Sequence, residues 1–322
     1  LAKSAQDAYR ASMNVPSDVK DAVLVDMANA LVRESAAIIR ANKADLKRAR
    51  TARVPKAFLE RLLLDKKRIR EMADSLRQIS ILHDPVDEVL TSVRRPNGLW
   101  IHKVRASIGV IAIIYESRPN VTSDCIGLCF KSGNAVILRG GSEAMQSNAA
   151  IYNICRSVLR KYDIPEGMIS MVQSKDHKAV SELLKLNQYI DLVMPRGGES
   201  LIKAVVKQSR IPVIKHYKGI CHVYVDEWAD LNMAQKICFN AKVQRPGVCN
   251  AMECMLVHQD VAARFLPGMI KQFRDAGVEI RGDGLTQRIG KGNVKKAVMA
   301  DYSTEYLDLI LSVKVVASLD EA

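Results

Sequence analysis

Short apolar runs rich in branched side chains alternate with helical stretches over residues 108–225, and this alternation constrains the fold most strongly. The runs are Ile108–Tyr115, Ala135–Leu138, Ile169–Val172, Leu192–Met194, Pro212–Ile214 and His222–Val225. Helical stretches lie between them, one at Glu143–Leu159 and another at Ala179–Leu186. Strands that alternate with helices form a mostly parallel sheet with helices packed on it. The predicted fold class is therefore α/β.

The N-terminal part of the chain is predicted to be helical, because its apolar residues recur at the spacing of a helix face. Two such stripes are Leu24, Met27, Ala28, Leu31 and Val32, and Ile69, Met72, Ala73 and Leu76. Residues at positions i, i+3, i+4 and i+7 lie on one side of an α-helix. We therefore expect helices that bury these two stripes.

A β-hairpin is predicted at about residues 88–105. Two apolar runs flank Arg95-Pro96-Asn97-Gly98, and Asn-Gly is a strong signal for a hairpin turn. Trp100 and Ile101 would point to opposite faces of the second strand. A hairpin that is apolar on both faces needs cover on both, which indicates a contact with another copy of the chain.

The chain has 322 residues, 48% of them hydrophobic, and this exceeds what one core usually holds. A second series of elements begins near Trp228. Its members are a helix at Met233–Asn240, a strand at 252–257, a helix at Val261–Ala276 and a strand near Leu309–Val316. The predicted domains are residues 1–226 and 227–322. The pattern stops at Ala322 without a closing element, so we expect the second domain to continue beyond it.

The formal net charge of +13 makes a nucleic-acid-binding protein an alternative. However, the basic residues are spread along the chain, and the densest group, Lys43 to Arg70, is interleaved with apolar residues in helical segments. Aromatic residues are only 5% of the chain, which argues against platforms for base stacking. The charge also suits a phosphorylated substrate and a phosphate-bearing cofactor, so no nucleic-acid partner is expected.

The chain is predicted to lie in the cytoplasm. No stretch approaches the roughly 20 apolar residues needed to span a bilayer, and no signal peptide is visible after Leu1. The seven cysteines are odd in number, and their spacing differs from that of zinc sites. We therefore expect free thiols in a reducing compartment, no membrane partner and no structural metal.

One cysteine lies in a Pro-Gly loop just before a predicted strand. The loop reads Gln244-Arg245-Pro246-Gly247-Val248-Cys249-Asn250-Ala251-Met252. A nucleophilic thiol needs a tight turn near backbone N–H groups, and its reactive form is the thiolate. The sequence leaves two alternatives for Cys249, a nucleophile or a buried structural cysteine. For most of the other six cysteines a structural role is favoured.

Two Arg-Gly-Gly turns follow apolar strands. The first is Arg139-Gly140-Gly141-Ser142, where Ser142 is a good helix N-cap, and the second is Arg196-Gly197-Gly198. Backbone N–H groups at a helix start bind anions, and an arginine adds donors suited to phosphate. Each turn alone is more often an ordinary strand–helix connection. Two together favour a nucleotide site, although the standard GxGxxG pattern is absent.

Asn120 follows the long strand at 108–115, in the turn Ser117-Arg118-Pro119-Asn120. An asparagine amide directed at a reacting carbonyl can stabilise its oxyanion. The alternative, which the residues alone favour, is a turn residue that caps its own backbone. His216 and His222 flank a strand start, and each is interpreted as a structural histidine rather than a general base.

Several long strings, taken together and in order, resemble one known family. They are Arg95–Gly98, Ile108–Thr122, Lys131–Ser142, Pro195–Gly198, His222–Asp226 and Gln244–Ala251. Over nearly its whole length the chain resembles the γ-glutamyl phosphate reductases (glutamate-5-semialdehyde dehydrogenases) of the aldehyde dehydrogenase superfamily. The resemblance implies a parallel-sheet cofactor domain, an α/β catalytic domain and a small oligomerisation hairpin. It also implies that the family's C-terminal portion and a few N-terminal residues are missing here.

The resemblance also implies roles for single residues. Cys249 is the expected catalytic nucleophile, and Asn120 the expected oxyanion-stabilising amide. Arg139 takes the place of a lysine beside the adenosine ribose and would fit the 2′-phosphate of NADPH. Gly197 and Gly198 would approach the pyrophosphate. Glu305 is similar to the glutamate that holds the nicotinamide ribose.

Hydrolytic members of the superfamily carry a glutamate general base at a position corresponding to about 214–219. This chain has Lys215-His216-Tyr217-Lys218 there, with no carboxylate. A hydrolase needs such a base to activate water, whereas reduction of an acyl phosphate does not. The departure therefore favours a reductase.

The implied function is NADPH-dependent reduction of L-glutamyl 5-phosphate to L-glutamate 5-semialdehyde, with release of phosphate, in proline biosynthesis. The implied intermediate is a thioester. The alternative is another thioester-forming superfamily member, CoA-acylating or hydrolytic. The implied partners are a second copy of the chain, in a dimer or higher oligomer, and a functional partnership with glutamate 5-kinase.

Overall fold

The computed structural model describes residues 1–52, 54, 56–116, 118–174, 176–215 and 219–322, without the side chains of residues 56, 57 and 177. The chain divides into two units, Leu1–Lys215 and His216–Ala322. This division precedes the predicted boundary at 226/227, because strand Cys221–Val225 pairs with Met252–His258 and so belongs to the second unit.

The first unit begins with five helices. They are α1 (Ala2–Ala11), α2 (Ser17–Arg33), α3 (Ser35–Thr51), α4 (Lys56–Leu62) and α5 (Lys66–Ser80). The two predicted stripes lie on α2 and α5, and eight of their nine residues are buried in one core. Val32 is the exception, with 38% of its surface exposed. The helical period of the sequence therefore gave the correct element type and face.

The predicted hairpin consists of β1 (Val89–Arg94) and β2 (Trp100–Val104), which pair antiparallel. Gly98 has φ +85, a left-handed conformation that glycine adopts without steric cost. Every residue of both strands is exposed, including Trp100 at 56%. Both faces of the hairpin thus expose apolar side chains.

Four parallel strands form the sheet of the first unit. They are β3 (Val110–Tyr115), β4 (Ala135–Gly140), β5 (Ile169–Met171) and β6 (Leu192–Arg196), in the order β5-β4-β3-β6. The helices that follow them are α6 (Asn120–Lys131), α7 (Met145–Leu159), α8 (His177–Leu183) and α9 (Glu199–Gln208). The predicted strand at Pro212–Ile214 is reduced to one bridge between Val213 and Val193.

The second unit has a five-stranded parallel sheet in the order β10-β9-β11-β8-β7. Its strands are β7 (Cys221–Val225), β8 (Met252–His258), β9 (Glu279–Gly282), β10 (Lys295–Lys296) and β11 (Ile310–Val316). Its helices are α10 (Leu231–Val243), α11 (Gln259–Asp275) and α12 (Gly284–Gly290). In the part of the chain described, no helix is long and apolar enough to cross a bilayer.

Candidate functional site

The Cys249 loop, residues 244–251, connects the end of α10 to the start of β8. Its last residues form a tight turn, in which the N–H of Ala251 donates to the carbonyl oxygen of Val248 at 3.0 Å. The Cys249 side chain is exposed, whereas its backbone is held, since the Cys221 thiol donates to the Cys249 carbonyl at 3.3 Å. The loop thus fixes the backbone of Cys249 and leaves its thiol open to solvent.

The other six cysteines are all less exposed than Cys249. Burial raises the pKa of Cys155, Cys238 and Cys254 to about 12. Burial also raises the pKa of Cys125 to about 12, with a further contribution from Asp124, and raises the pKa of Cys129. Cys221 is half-buried, and all seven thiols are free. Of the seven cysteines, all of which lie in the described part of the chain, Cys249 alone is exposed, so it is not buried as the structural alternative supposes.

Glu305 lies in the segment that follows a 3₁₀ turn at Met299–Ser303 and precedes β11. Gly219 lies between this segment and the Cys249 loop. A methyl group added at Gly219 would be 2.9 Å from the Cys249 carbonyl oxygen and 3.7 Å from Glu305 Oε1. The structure therefore brings Glu305 and the Cys249 loop together around a position where no side chain fits. Residues 216–218 lie outside the described residues. They include His216 and part of the stretch in which hydrolytic relatives carry their glutamate base.

Two charged residues at the ends of the Cys249 loop were not predicted. Lys242, in the last turn of α10, and Glu253, in β8, form an ion pair at 2.8 Å with 0% and 1% of their side chains exposed. The second carboxylate oxygen of Glu253 accepts the N–H of Leu307 at 3.0 Å. In the sequence, both residues look like ordinary members of a charged helix and a strand.

Arg139, the penultimate residue of β4, is buried, with 8% of its surface exposed. Its Nη1 donates to the carbonyl oxygen of Gly140 at 3.1 Å, and its buried Nε has no hydrogen-bond partner among the described residues. An unsatisfied buried donor is costly, so an orphaned guanidinium N–H at a strand end suits an anionic ligand. Gly140 is packed tightly, since an added methyl would lie 2.2 Å from Asn148 Nδ2.

The expectation that Ser142 caps a helix is wrong. Ser142 and Glu143 begin a 3₁₀ turn, Ser142–Ala144, and α7 starts only at Met145. The exposed Ser142 hydroxyl contacts Glu143 at 3.5 Å instead of a helix N–H. Asp45 of α3 takes the capping role, because its carboxylate accepts the N–H groups of Gln146 and Ser147 at 3.3 and 2.8 Å. A methyl group added to Gly141, which precedes the 3₁₀ turn, would clash with the Glu143 side chain.

The second turn, Arg196-Gly197-Gly198, carries an exposed arginine at the end of β6. The N–H of Gly198 donates to the carboxylate of Glu116 at 3.1 Å, just before α9 begins at Glu199. A methyl on Gly197 would lie 2.6 Å from Glu116 Cδ. Glu116, which was not predicted, therefore occupies the N–H group that the sequence assigns to a phosphate.

The two turns lie on either side of one residue. In the parallel register, Tyr115 of β3 pairs with Gly140 of β4 and with Arg196 of β6. Both turns therefore leave the same edge of the sheet, at the carboxyl ends of its strands, which is where α/β sheets bind ligands. The structure thus brings the predicted cofactor residues of the first unit together.

Asn120 is the first residue of α6 and is exposed. Its amide Nδ2 donates to Asp124 at 3.1 Å, so one of its two N–H groups is already used. Burial raises the pKa of Asp124, although Ser75 and Asn120 both donate to it. His222 is exposed, and its Nδ1 lies 2.7 Å from the Ile220 carbonyl oxygen, a local backbone contact.

Three residues of the second unit have the composition of a metal site. Glu227, His258 and Asp260 place one ligand atom each within 4.8 Å of the others. However, His258 Nδ1 accepts the N–H of Asp260 at 3.3 Å and so caps α11. That cap accounts for the proximity of His258 and Asp260.

Comparisons with known proteins agree on one family. The Aldehyde dehydrogenase family matches residues 2–307. Two proteins named γ-glutamyl phosphate reductase, from Thermodesulfovibrio yellowstonii and Caldanaerobacter subterraneus subsp. tengcongensis, are 49% and 50% identical over 321 residues. Each match covers the whole of this chain and 77% of the relative.

Solved structures give the same result. The crystal structure of γ-glutamyl phosphate reductase from Thermotoga maritima matches with a TM-score of 0.91 and 42% identity, over 99% of this chain and 77% of that one. An acetylating aldehyde dehydrogenase from Geobacillus thermoglucosidasius matches at 0.64 and 17% identity, over 99% and 75%, which shows a shared fold. The chain therefore belongs to the aldehyde dehydrogenase family of oxidoreductases, in the group of the γ-glutamyl phosphate reductases.

Proposed function

We propose that this chain catalyses the NADPH-dependent reduction of L-glutamyl 5-phosphate to L-glutamate 5-semialdehyde, with release of phosphate, in proline biosynthesis. The observation that carries the proposal is the match, at about half identity over the whole chain, to relatives named for this substrate. The exposed thiol of Cys249 on a fixed loop is consistent with it.

The first step forms a thioester on Cys249. The thiolate attacks the acyl carbon, the C–S bond forms, the C–O bond to phosphate breaks, and inorganic phosphate leaves. Asn120 and N–H groups of the Cys249 loop are assigned to the developing oxyanion. Because phosphate is a good leaving group, this step needs no strong acid.

The second half of the reaction reduces the thioester and regenerates Cys249. When bound, the reduced nicotinamide supplies a hydride to the thioester carbonyl. Hydride addition leaves a thiohemiacetal oxyanion on Cys249. Its collapse breaks the C–S bond, which releases the aldehyde and the Cys249 thiolate. Glu305 is assigned to the nicotinamide ribose, as the resemblance implies.

The residues of the first unit fit a phosphate-bearing cofactor. Arg139 offers a buried N–H that lacks a partner among the described residues, and this suits the 2′-phosphate that distinguishes NADPH from NADH. Gly140, Gly141 and Ser142 form the adjoining turn. Arg196, Gly197 and Gly198 are assigned to the pyrophosphate, where the Glu116 carboxylate would have to leave.

The apolar hairpin is assigned to self-association. Both of its strands are exposed along their whole length. Together with Leu99, which directly precedes β2, they expose seven large hydrophobic side chains: Val89, Leu90, Val93, Leu99, Trp100, Ile101 and Val104. An exposed patch of this kind marks an interaction site. We propose a homodimer or higher homo-oligomer in the cytoplasm, working in partnership with glutamate 5-kinase.

The test is the reverse reaction. The protein is mixed with 1-pyrroline-5-carboxylate, phosphate and NADP⁺, and reduced cofactor is followed by absorbance. We expect a phosphate-dependent signal in the wild type and in Cys221→Ser, the matched thiol variant, because a serine hydroxyl keeps the donor to the Cys249 carbonyl. We expect none in Cys249→Ser. Equal signal without phosphate would reject the reductase. A signal that requires CoA instead of phosphate would establish the acylating alternative. A signal that requires neither CoA nor phosphate would establish the hydrolytic alternative.

A further inference from the structure

The Lys242–Glu253 ion pair is the most deeply buried one in the part of the chain that the structure describes. Its two side chains are 0% and 1% exposed, with Nζ and Oε2 2.8 Å apart. Burial of two charges costs several kcal/mol per ion before their attraction is counted, and apolar replacements of such pairs are often as stable. A contribution to stability therefore does not explain why the chain has this pair. Its position in the fold gives a better explanation.

The pair joins the two ends of the Cys249 loop. Lys242 is the penultimate residue of α10, and Glu253 is the second residue of β8. The eight residues between the two elements, 244–251, include the nucleophile. The ion pair thus fixes the distance between the two ends of this loop.

The same carboxylate holds the segment that carries Glu305. Glu253 Oε1 accepts the N–H of Leu307 at 3.0 Å. Leu307 has φ +53, a left-handed conformation that is uncommon for leucine and persists only when its surroundings fix it. Glu305 lies two residues before this anchored point.

One carboxylate therefore links the Glu305 segment to the helix end that precedes the Cys249 loop. Its first oxygen fixes the Glu305 segment, and its second oxygen fixes the Cys249 loop through Lys242. An amide cannot replace it fully, because a glutamine has one acceptor oxygen and its nitrogen only donates.

We propose that Glu253, charge-paired with Lys242, is a positioning residue that sets the Cys249 thiol relative to the ribose-binding Glu305. This inference rests on the proposed function for the roles of Cys249 and Glu305. Neither Lys242 nor Glu253 acts on the substrate. They act by fixing two segments whose relative placement determines whether the hydride donor and the thioester meet.

A second ion pair in the first unit provides a matched control. Lys20 Nζ lies 2.8 Å from Asp84 Oδ2, with 5% and 12% of the side chains exposed. Asp84 Oδ1 also accepts a backbone N–H, that of Val86 at 3.0 Å. The control therefore has the same chemistry, a buried lysine and a carboxylate that also holds a backbone segment.

The test compares Lys242→Met/Glu253→Met with Lys20→Met/Asp84→Leu. Misplacement of reacting groups by about 1 Å costs on the order of a hundredfold in rate, so we expect a kcat between tenfold and a hundredfold lower in the first double variant. We also expect a several-fold higher KM for NADPH, a smaller change in the KM for the acyl phosphate, and no such changes in the control.

Hydrogen exchange gives a readout that does not require turnover. In the Lys242→Met/Glu253→Met variant, segments 244–251 and 304–309 should exchange faster together, whereas the control should exchange as the wild type does. Wild-type exchange in both segments would overturn the proposal, and so would equal loss of kcat in both double variants. A wild type without reductase activity would reject the proposed function, and the exchange result would still decide the positioning role.

Discussion

The two Arg-Gly-Gly turns have the same sequence and different surroundings. At both, a carboxylate from elsewhere in the chain accepts N–H groups at the start of the following helix. At the first turn this is Asp45, whose side chain is fully buried, and at the second it is Glu116, which is exposed. A buried carboxylate with several donors is a permanent part of the fold, whereas an exposed one with a single hydrogen-bond donor among the described residues can be exchanged for a ligand.

The difference assigns separate tasks to the two turns. At the first turn, the helix start is closed to ligands, and the free donor is the buried Nε of Arg139. At the second turn, the proposed function makes the helix start itself the anion site, where Glu116 now accepts the Gly198 N–H and a phosphate would displace its carboxylate. One turn would recognise charge through a side chain and the other through the backbone.

The largest expected effect comes from Asp45. Its carboxylate accepts two backbone N–H groups and the Ser147 hydroxyl at 2.6 Å, and it pairs with Arg48. Asp45→Ala should lower the free energy of unfolding by about 3 kcal/mol, because buried donors lose their acceptor. Chemical denaturation measures this. Asp45→Asn keeps an acceptor and should cost less, and a neutral Asp45→Ala would contradict a permanent structural role.

Arg139 should have the next largest effect, on cofactor choice rather than on folding. A charged hydrogen bond contributes about 1.5–3 kcal/mol, so Arg139→Met should raise the KM for NADPH about tenfold to a hundredfold. The KM for NADH should change little, because NADH lacks the 2′-phosphate. Equal losses with both cofactors would mean that Arg139 does not contact the 2′-phosphate. Arg196→Met, at the second turn, is the matched comparison and should weaken both cofactors alike.

Gly197 and Gly198 of the second turn can be compared by substituting each with alanine. A methyl at Gly197 would meet Glu116 at 2.6 Å and Leu201 at 2.8 Å, whereas one at Gly198 would have no heavy atom nearer than 4.0 Å. Gly197→Ala should therefore weaken NADPH binding about fivefold, a cost of about 1 kcal/mol. Gly198→Ala should change it less than twofold. A fluorescence titration with NADPH measures both, and the reverse ranking would show that crowding at Glu116 is not the cause.

Glu116 should have the smallest effect, with the opposite sign. A carboxylate at a helix start contributes about 0.5–1 kcal/mol, and a ligand phosphate must displace it. Glu116→Gln keeps the shape and removes the charge, so NADPH should bind about twofold to fivefold more tightly in the same titration. Glu182→Gln, which removes an exposed carboxylate of α8 paired with Lys185, is the control and should leave binding unchanged. Weaker binding in Glu116→Gln would mean that Glu116 contacts the cofactor itself.

Local patterns in the sequence predicted most of the fold. The strands at 110–115, 135–140, 169–171 and 192–196 follow from short branched runs, and the helical stripes follow from a period of 3.6 residues. His222–Val225 was also identified as a strand, but its place in the second sheet depends on pairing with β8, which its own sequence does not encode.

The parts of the site that the sequence did not predict depend on distant pairs. Asp45 lies 102 residues from Ser147 in the chain, and Glu116 lies 82 residues from Gly198. Ser142 was predicted as a cap because serine prefers that position, but the nearby Asp45 carboxylate offers a stronger acceptor. The motif loops themselves were visible, because their glycines, arginines and Cys249 are local in sequence.

The most direct test of the account is to trap the acyl group on the enzyme. Semialdehyde and NADP⁺, supplied without phosphate, should leave the chain acylated, because hydride leaves the thiohemiacetal and no phosphate is present to accept the acyl group. Mass spectrometry of the digested protein should then find one glutamyl group as a thioester on Cys249, removed on addition of phosphate. An adduct on Cys221 or another residue, or none while reduced cofactor appears, would contradict the account.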